Sequence, residues 1–234
     1  MVSPERSALN DAMARLKADL LRCCQSIIVE FTRKMSPTAR RYWYLSIGCG
    51  LVVGALMASA FLLHEFDLLQ LSEQIYYLLW FGGFVFGAGF AVCLRAARVT
   101  SLWRASTFAI CIGAAHFLAW LFSIKFHGVL PVHFEVAGSF LWGLVFGTVV
   151  ASCAAFLFAS VQSLRLLGLT VLSSVVMALS YLLLRLMDPT GGVALPAAEV
   201  AIGLVYATVA AILGWKLFQG TPRDASSNFA RSPS

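Results

Sequence analysis

The sequence predicts an all-α membrane protein of six transmembrane helices, preceded by a cytoplasmic amphipathic helix. Three observations predict it. Six mostly apolar stretches of roughly 18–25 residues follow one another from Tyr42 to Phe218, each long enough to cross a hydrocarbon layer about 30 Å thick. Apolar residues make up 60% of the 234 and charged residues only 12%, half of what a water-soluble domain of that length carries. The basic residues, finally, fall on one side of the stretches. In lipid the backbone must satisfy its own hydrogen bonds, so an apolar run of this length has one stable form, the helix.

The first 41 residues form a cytoplasmic helix and linker in this reading. Ser3-Pro4 has the form of a helix start, a capping serine with proline at the first helical position. Leu9, Met13, Leu16, Leu20, Cys24, Ile27, Phe31 and Met35 then recur at steps of three and four. Asp11, Arg15, Asp19, Arg22 and Gln25 occupy the other face. Such a helix lies on the inner membrane surface, packs its stripe on further copies, or serves as a simple spacer. Ser36-Pro37 marks a break and a fresh start.

The six-span bundle covers 42–218. Its spans read as Tyr42–Leu63, Ile75–Leu94, Thr107–Ile124, Val136–Phe158, Leu164–Leu186 and Ala197–Phe218. The connections between them are short, which makes consecutive helices antiparallel neighbours. Residues 219–234, rich in Ser, Pro and Asn, read as a disordered cytoplasmic tail. Tyr42, Trp43, Tyr44, Tyr76, Tyr77, Trp80, Trp103 and Trp215 fall near span ends, where an interfacial aromatic belt sits.

Fifteen of the 17 lysines and arginines precede the first span, lie between spans two and three or four and five, or follow the sixth; only Lys125 and Arg185 lie opposite. That asymmetry places both termini in the cytoplasm. With short loops and no soluble domain, the expected location is a bacterial inner membrane. The net charge of +6 is therefore a topology signal, and nucleic acid is not an expected partner. The lipid bilayer is one, and a second copy or other membrane subunits are the candidates beyond it. None of the six cysteines falls in an outer loop, so no disulfide framework is expected.

A pattern recurs at an interval of 60 residues: Gly83-Phe-Val-Phe-Gly87, Gly143-Leu-Val-Phe-Gly147 and Gly203-Leu-Val-Tyr-Ala207. It marks three tandem two-helix hairpins. The alternative is chance recurrence, because membrane helices draw on a small alphabet. Small residues four apart, also at Gly50 and Gly54, make seams where helices approach closely. Those seams serve packing within one bundle, a subunit boundary or sliding surfaces.

His116 is the ionisable residue nearest the middle of a span, and Glu199 lies within the first turns of span six. Ionisable groups in lipid are costly and mark function by default. His116 is a gate, a proton-linked residue or a cofactor ligand, though a bis-histidine haem would lack a second histidine at its depth, or it is a neutral imidazole bonded to a neighbouring helix. Glu199 is favoured by the helix N-terminus or lines an outer vestibule. His64, Glu65, His127, His133 and Glu135 are ligand types for zinc or copper, but their spacing matches no metal motif. No metal or cofactor is expected. No nucleophile elbow, phosphate loop or intramembrane carboxylate pair appears, so an enzyme is not expected. Two classes remain: a small permease or channel, and a non-catalytic membrane subunit or anchor of a larger assembly.

Overall fold

Ser36 ends one segment and starts the next for a local reason. Its hydroxyl accepts the Ala39 N–H at 3.1 Å and its carbonyl accepts the Arg40 N–H at 2.9 Å. It thus caps a helix whose first residue, Pro37, has no N–H to satisfy. The computed structural model describes residues 35–65, 74–127, 135–158, 163–187 and 194–218, with Arg22, Val29 and Arg33 besides. The helices are α1 (Pro37–Glu65), α2 (Gln74–Ala96), α3 (Leu102–His127), α4 (Glu135–Leu157), α5 (Ser163–Met187) and α6 (Ala194–Phe218). No strand occurs among the described residues. The amphipathic segment 4–35 lies outside the described residues apart from Arg22, Val29 and Arg33, each helical, and Met35 just before α1; the tail 219–234 lies outside them altogether.

The sixfold pattern of apolar stretches matches six helices, two of which begin five residues early: α3, at Leu102 rather than Thr107, and α1. α1 begins five residues before Tyr42, because the Ser36–Pro37 start leads directly into the first apolar stretch. Residues 37–41, read as linker, are helical. Four helices are long and apolar enough to cross a membrane, within Pro37–Ala60, Leu102–Phe122, Val136–Leu157 and Ala198–Phe218. α2 and α5 carry the shorter apolar stretches Phe81–Ala96 and Gly168–Leu183.

The outward faces carry what a water-soluble fold would bury. Val92, Trp103, Ile110, Phe156 and Leu183 are all exposed, Phe156 at 90% of its surface. A continuous apolar exterior of this kind belongs against lipid, and the chain is a helical protein of the membrane.

α2 passes to α3 through a tight turn that closes its own hydrogen bonds. Val99 N–H reaches the Leu94 carbonyl and Arg98 N–H the Arg95 carbonyl, both at 3.0 Å. This pairing needs a left-handed residue, here Arg98 at φ 56°. Arg95, Arg98 and Arg104 cluster around the turn, at the end of the bundle that also holds Arg40, Arg165 and Lys216. We call it the basic end.

The helices form a closed ring. α1 packs most extensively on α6, α4 on α5 and α2 on α3. The remaining neighbours, α3 and α4, α5 and α6, α1 and α2, share less surface. α6 also touches α2 and α4, which makes it the central helix. Its span is 61% buried, against 39% for those of α1 and α3. Trp43 ties α1 to α6: its Nε1 donates to the Ala211 carbonyl at 2.9 Å, and its ring is buried over Gly214. It is a packing residue rather than part of a belt. Trp103, 72% exposed, fits a belt.

Candidate functional site

The tight pairs are joined by the small residues, which face backbone rather than side chain. A Cβ on Gly203 would lie 2.7 Å from Gly54 Cα, and one on Gly50 would lie 2.8 Å from the Ala207 nitrogen. A Cβ on Gly87 would meet the Ala109 carbonyl oxygen at 2.6 Å. On α4, Cβ atoms at Gly143 and Gly147 would come within 2.7 Å of the Ser173 oxygen and 2.9 Å of Thr170 Cα. These distances bring the helices closer than any larger side chain allows. Within this chain the glycines belong to contacts between its own helices.

Gly83 has a different neighbour, the Cβ of His116. The room it leaves admits the imidazole from α3 into the centre of the bundle. His116 is fully buried there. Its Nδ1 lies 2.6 Å from the hydroxyl of Tyr206, on the central helix. The phenol donates when Nδ1 is bare and accepts when Nδ1 carries the ring hydrogen. At 1.5 Å per residue, His116 and Tyr206 lie about 21 and 18 Å from the basic ends of their helices, close to half-depth.

Aromatic rings surround the pair. Tyr206 stacks on Phe86 of α2, with centroids 4.4 Å apart and planes 6° apart. Phe146 of α4 approaches it at 5.6 Å and 49°. Trp142 stands edge-on to His116 at 5.6 Å and stacks on Phe146 at 5.0 Å. Phe86, Phe146 and Tyr206 are all fully buried, so the centre of the bundle is filled by rings from α2, α4 and α6.

Glu199 lies two helical turns from Tyr206 on the same face of α6, away from the basic end. It too is fully buried. Neither carboxylate oxygen has a hydrogen-bond partner among the described residues. Its main-chain carbonyl packs against α1, where a Cβ on Gly54 would meet it at 3.2 Å. Trp142 Nε1 and Ser173 Oγ also lack partners among the described residues.

The structure therefore brings His116 into one polar centre with Tyr206, and sets Glu199 on the same helix face as that tyrosine. The outer group of His64, Glu65, His127, His133 and Glu135 lies outside the described side chains. Among the described residues no three metal-ligand side chains gather. Sequence reasoning missed Tyr206, although the repeated pattern contained the signal. A tyrosine stands where the two other copies carry phenylalanine, and a hydroxyl at mid-span must find a partner.

What the fold and site define is a helical membrane protein with a polar pair locked in an aromatic centre. No family model matches the chain, and neither do the curated proteins or solved structures compared with it.

Proposed function

We propose that the chain is a small permease whose pathway follows the central helix α6, closed in this state by Phe86, Phe146 and Tyr206. In this reading all six helices cross an inner membrane, with both termini in the cytoplasm at the basic end. The observation that carries it is the 2.6 Å contact of Tyr206 with His116 at half-depth, with Glu199 two turns further along the same face. Three polar groups on one line are a costly arrangement in lipid, and a route for a polar solute is what repays it.

The pathway is set between three helical hairpins, α1–α2, α3–α4 and α5–α6. Their equivalence is supported by register. Gly87, Gly147 and Ala207 stand 60 residues apart and face Ala109, Thr170 and Gly50. Shifted by the same interval, those three partners fall within one position of each other. Phe86, Phe146 and Tyr206 are likewise equivalent, which supports an axis among α2, α4 and α6. His116 then acts as a clasp on the one ring of three that carries a hydroxyl. The site offers binding and passage, not bond chemistry, so the protein is not an enzyme.

The test is flux into liposomes containing the purified protein, read with a trapped pH dye and with sodium- and potassium-sensitive dyes. Wild type should pass at least one of these cations faster than empty vesicles. Tyr206→Phe and His116→Ala should raise the closed-state leak. Flux equal to that of empty vesicles in all three proteins would remove the proposal. The second reading, a membrane subunit of a larger assembly, is favoured by the dense aromatic filling of the centre. Co-purification of a stoichiometric partner together with that null flux would select it.

A further inference from the structure

We propose that Glu199 is held as the neutral acid and is the proton-binding residue of the pathway. The role in transport rests on the axial reading above; the protonation itself does not.

The argument starts from what Glu199 lacks. The residue is fully buried, and neither carboxylate oxygen has a partner among the described residues. An ionised carboxylate stripped of water and of hydrogen bonds costs far more than this fold can supply, so the group neutralises. A metal cation would neutralise it only within a shell of oxygen ligands. Among the described residues no donor or acceptor stands within hydrogen-bonding reach of either oxygen. A proton needs no such shell.

The helices packed on α6 offer little charge at that depth. α1 presents Gly54 there, carries Cys49 further toward the basic end, and ends in His64 and Glu65. α2 has Tyr76 and Tyr77 in its first turn and Cys93 at the basic end. α4 starts with Glu135, places the buried Ser139 one turn further in and carries Cys153 near the basic end. α5 carries Tyr181, one turn before Arg185, and α3, which reaches α6 through His116, ends with Lys125 and His127 on that same side. On α6 itself Tyr206 lies two turns inward, bonded to His116, and Lys216 stands at the basic end.

Position adds a direction. Glu199 is five residues from the start of α6, about 7–8 Å in from the end opposite the basic one. The aromatic closure lies further inward. The acid therefore stands on the outer side of the gate, where opening toward the outer water lets it exchange its proton while Tyr206 still blocks the inner half.

A lipid-soluble carbodiimide reads this directly. The acid proton passes to a carbodiimide nitrogen as the carboxyl oxygen adds to the central carbon. Acyl transfer to the neighbouring nitrogen then leaves a stable N-acylurea, with no leaving group and no redox change. The protein is labelled in lipid vesicles with dicyclohexylcarbodiimide, digested, and the adduct is located by mass spectrometry. The proposal expects an adduct on Glu199 in neutral buffer, loss of that adduct as the buffer is made alkaline, and little reaction with a water-soluble carbodiimide. Glu199→Gln, checked for a monodisperse folded species, should remove it. Absence of the adduct in wild type would overturn the proposal. So would equal labelling by the water-soluble reagent, and so would protection by added sodium at constant pH, which would make the occupant a metal ion. Labelling needs no transport, so inert vesicles would remove the pathway and leave the acid standing.

Discussion

The α1–α6 and α2–α3 seams use the same spacing of small residues and put the space to different use. At α1–α6, Gly50 and Gly54 meet the backbone of Gly203 and Ala207, so both sides give up their side chains and the helix axes close together. At α2–α3 Gly87 likewise meets the Ala109 backbone, but one turn away only one side gives up its side chain: Gly83 faces His116. The first seam turns missing atoms into dispersion contact, the main adhesive between helices in lipid. The second turns them into a passage for an imidazole, which reaches Tyr206 beyond. A glycine four residues from another is thus a statement about room, and what enters the room is decided on the facing helix.

The difference can be broken by substitution. The largest effect is expected at the polar seam. His116→Ala leaves both a void and a buried hydroxyl without its partner, a loss of about 3 kcal/mol or more, measured by denaturant titration in mixed micelles. Tyr206→Phe on its own should cost about 1 kcal/mol, since it removes one buried hydrogen bond and keeps the ring stacked on Phe86. In the double variant, His116→Ala should cost less than it does in wild type, by about 1 kcal/mol. Strict additivity would deny that the two groups are coupled. Next comes Gly203→Ala. Its new methyl carbon would stand 2.7 Å from Gly54 Cα, which is backbone and cannot rotate away, so two helices must separate. About 2 kcal/mol is expected from such overpacking, even though alanine is the better helix former. Gly83→Ala should cost at least as much, about 2 kcal/mol or more, because its methyl would meet the His116 Cβ, which is fixed to the α3 backbone and cannot rotate away. Its signature lies elsewhere. The displaced imidazole should loosen the Tyr206 contact, seen as faster hydrogen exchange or changed tyrosine absorption. Gly203→Ala should leave both unaltered.

Much of the fold was legible because lipid makes the rule simple. A long apolar stretch has no alternative to a helix, so six of them in order could be read from Tyr42 to Phe218. His116 and Glu199 were legible for the same reason, since ionisable groups are rare where they are costly. That consecutive helices neighbour one another was legible from the short connections, but the contact that closes the ring was not. A span that is apolar on every face carries no stripe to point at its neighbour, and α1 finds its largest partner in α6, the most distant helix in the chain. Trp43 shows the consequence. Near a span end it reads as an interfacial aromatic, yet the α1–α6 pairing buries it and hands its N–H to Ala211. Tyr206 was hidden differently: among so many aromatic residues, one hydroxyl gains meaning only once a histidine on a different helix is known to reach it.

The smallest expected effect separates close approach from glycine content. Gly48 and Gly50 lie two residues apart on α1, so they point to faces about 200° apart at 100° per residue. A Cβ on Gly48 would meet nothing within 4 Å, whereas one on Gly50 would meet the α6 backbone at 2.8–2.9 Å. If glycine mattered here as a source of chain flexibility, both substitutions would act alike. If it matters as the absence of a methyl group, they differ in sign. Gly48→Ala should then be neutral or stabilising by at most about 1 kcal/mol, the helix-propensity gain with no clash to offset it. Gly50→Ala should destabilise by about 2 kcal/mol, as Gly203→Ala does on the facing helix. A loss at position 48 equal to that at position 50 would mean that the exposed side of α1 meets another protein surface in the membrane, and the seam would no longer be confined to α6.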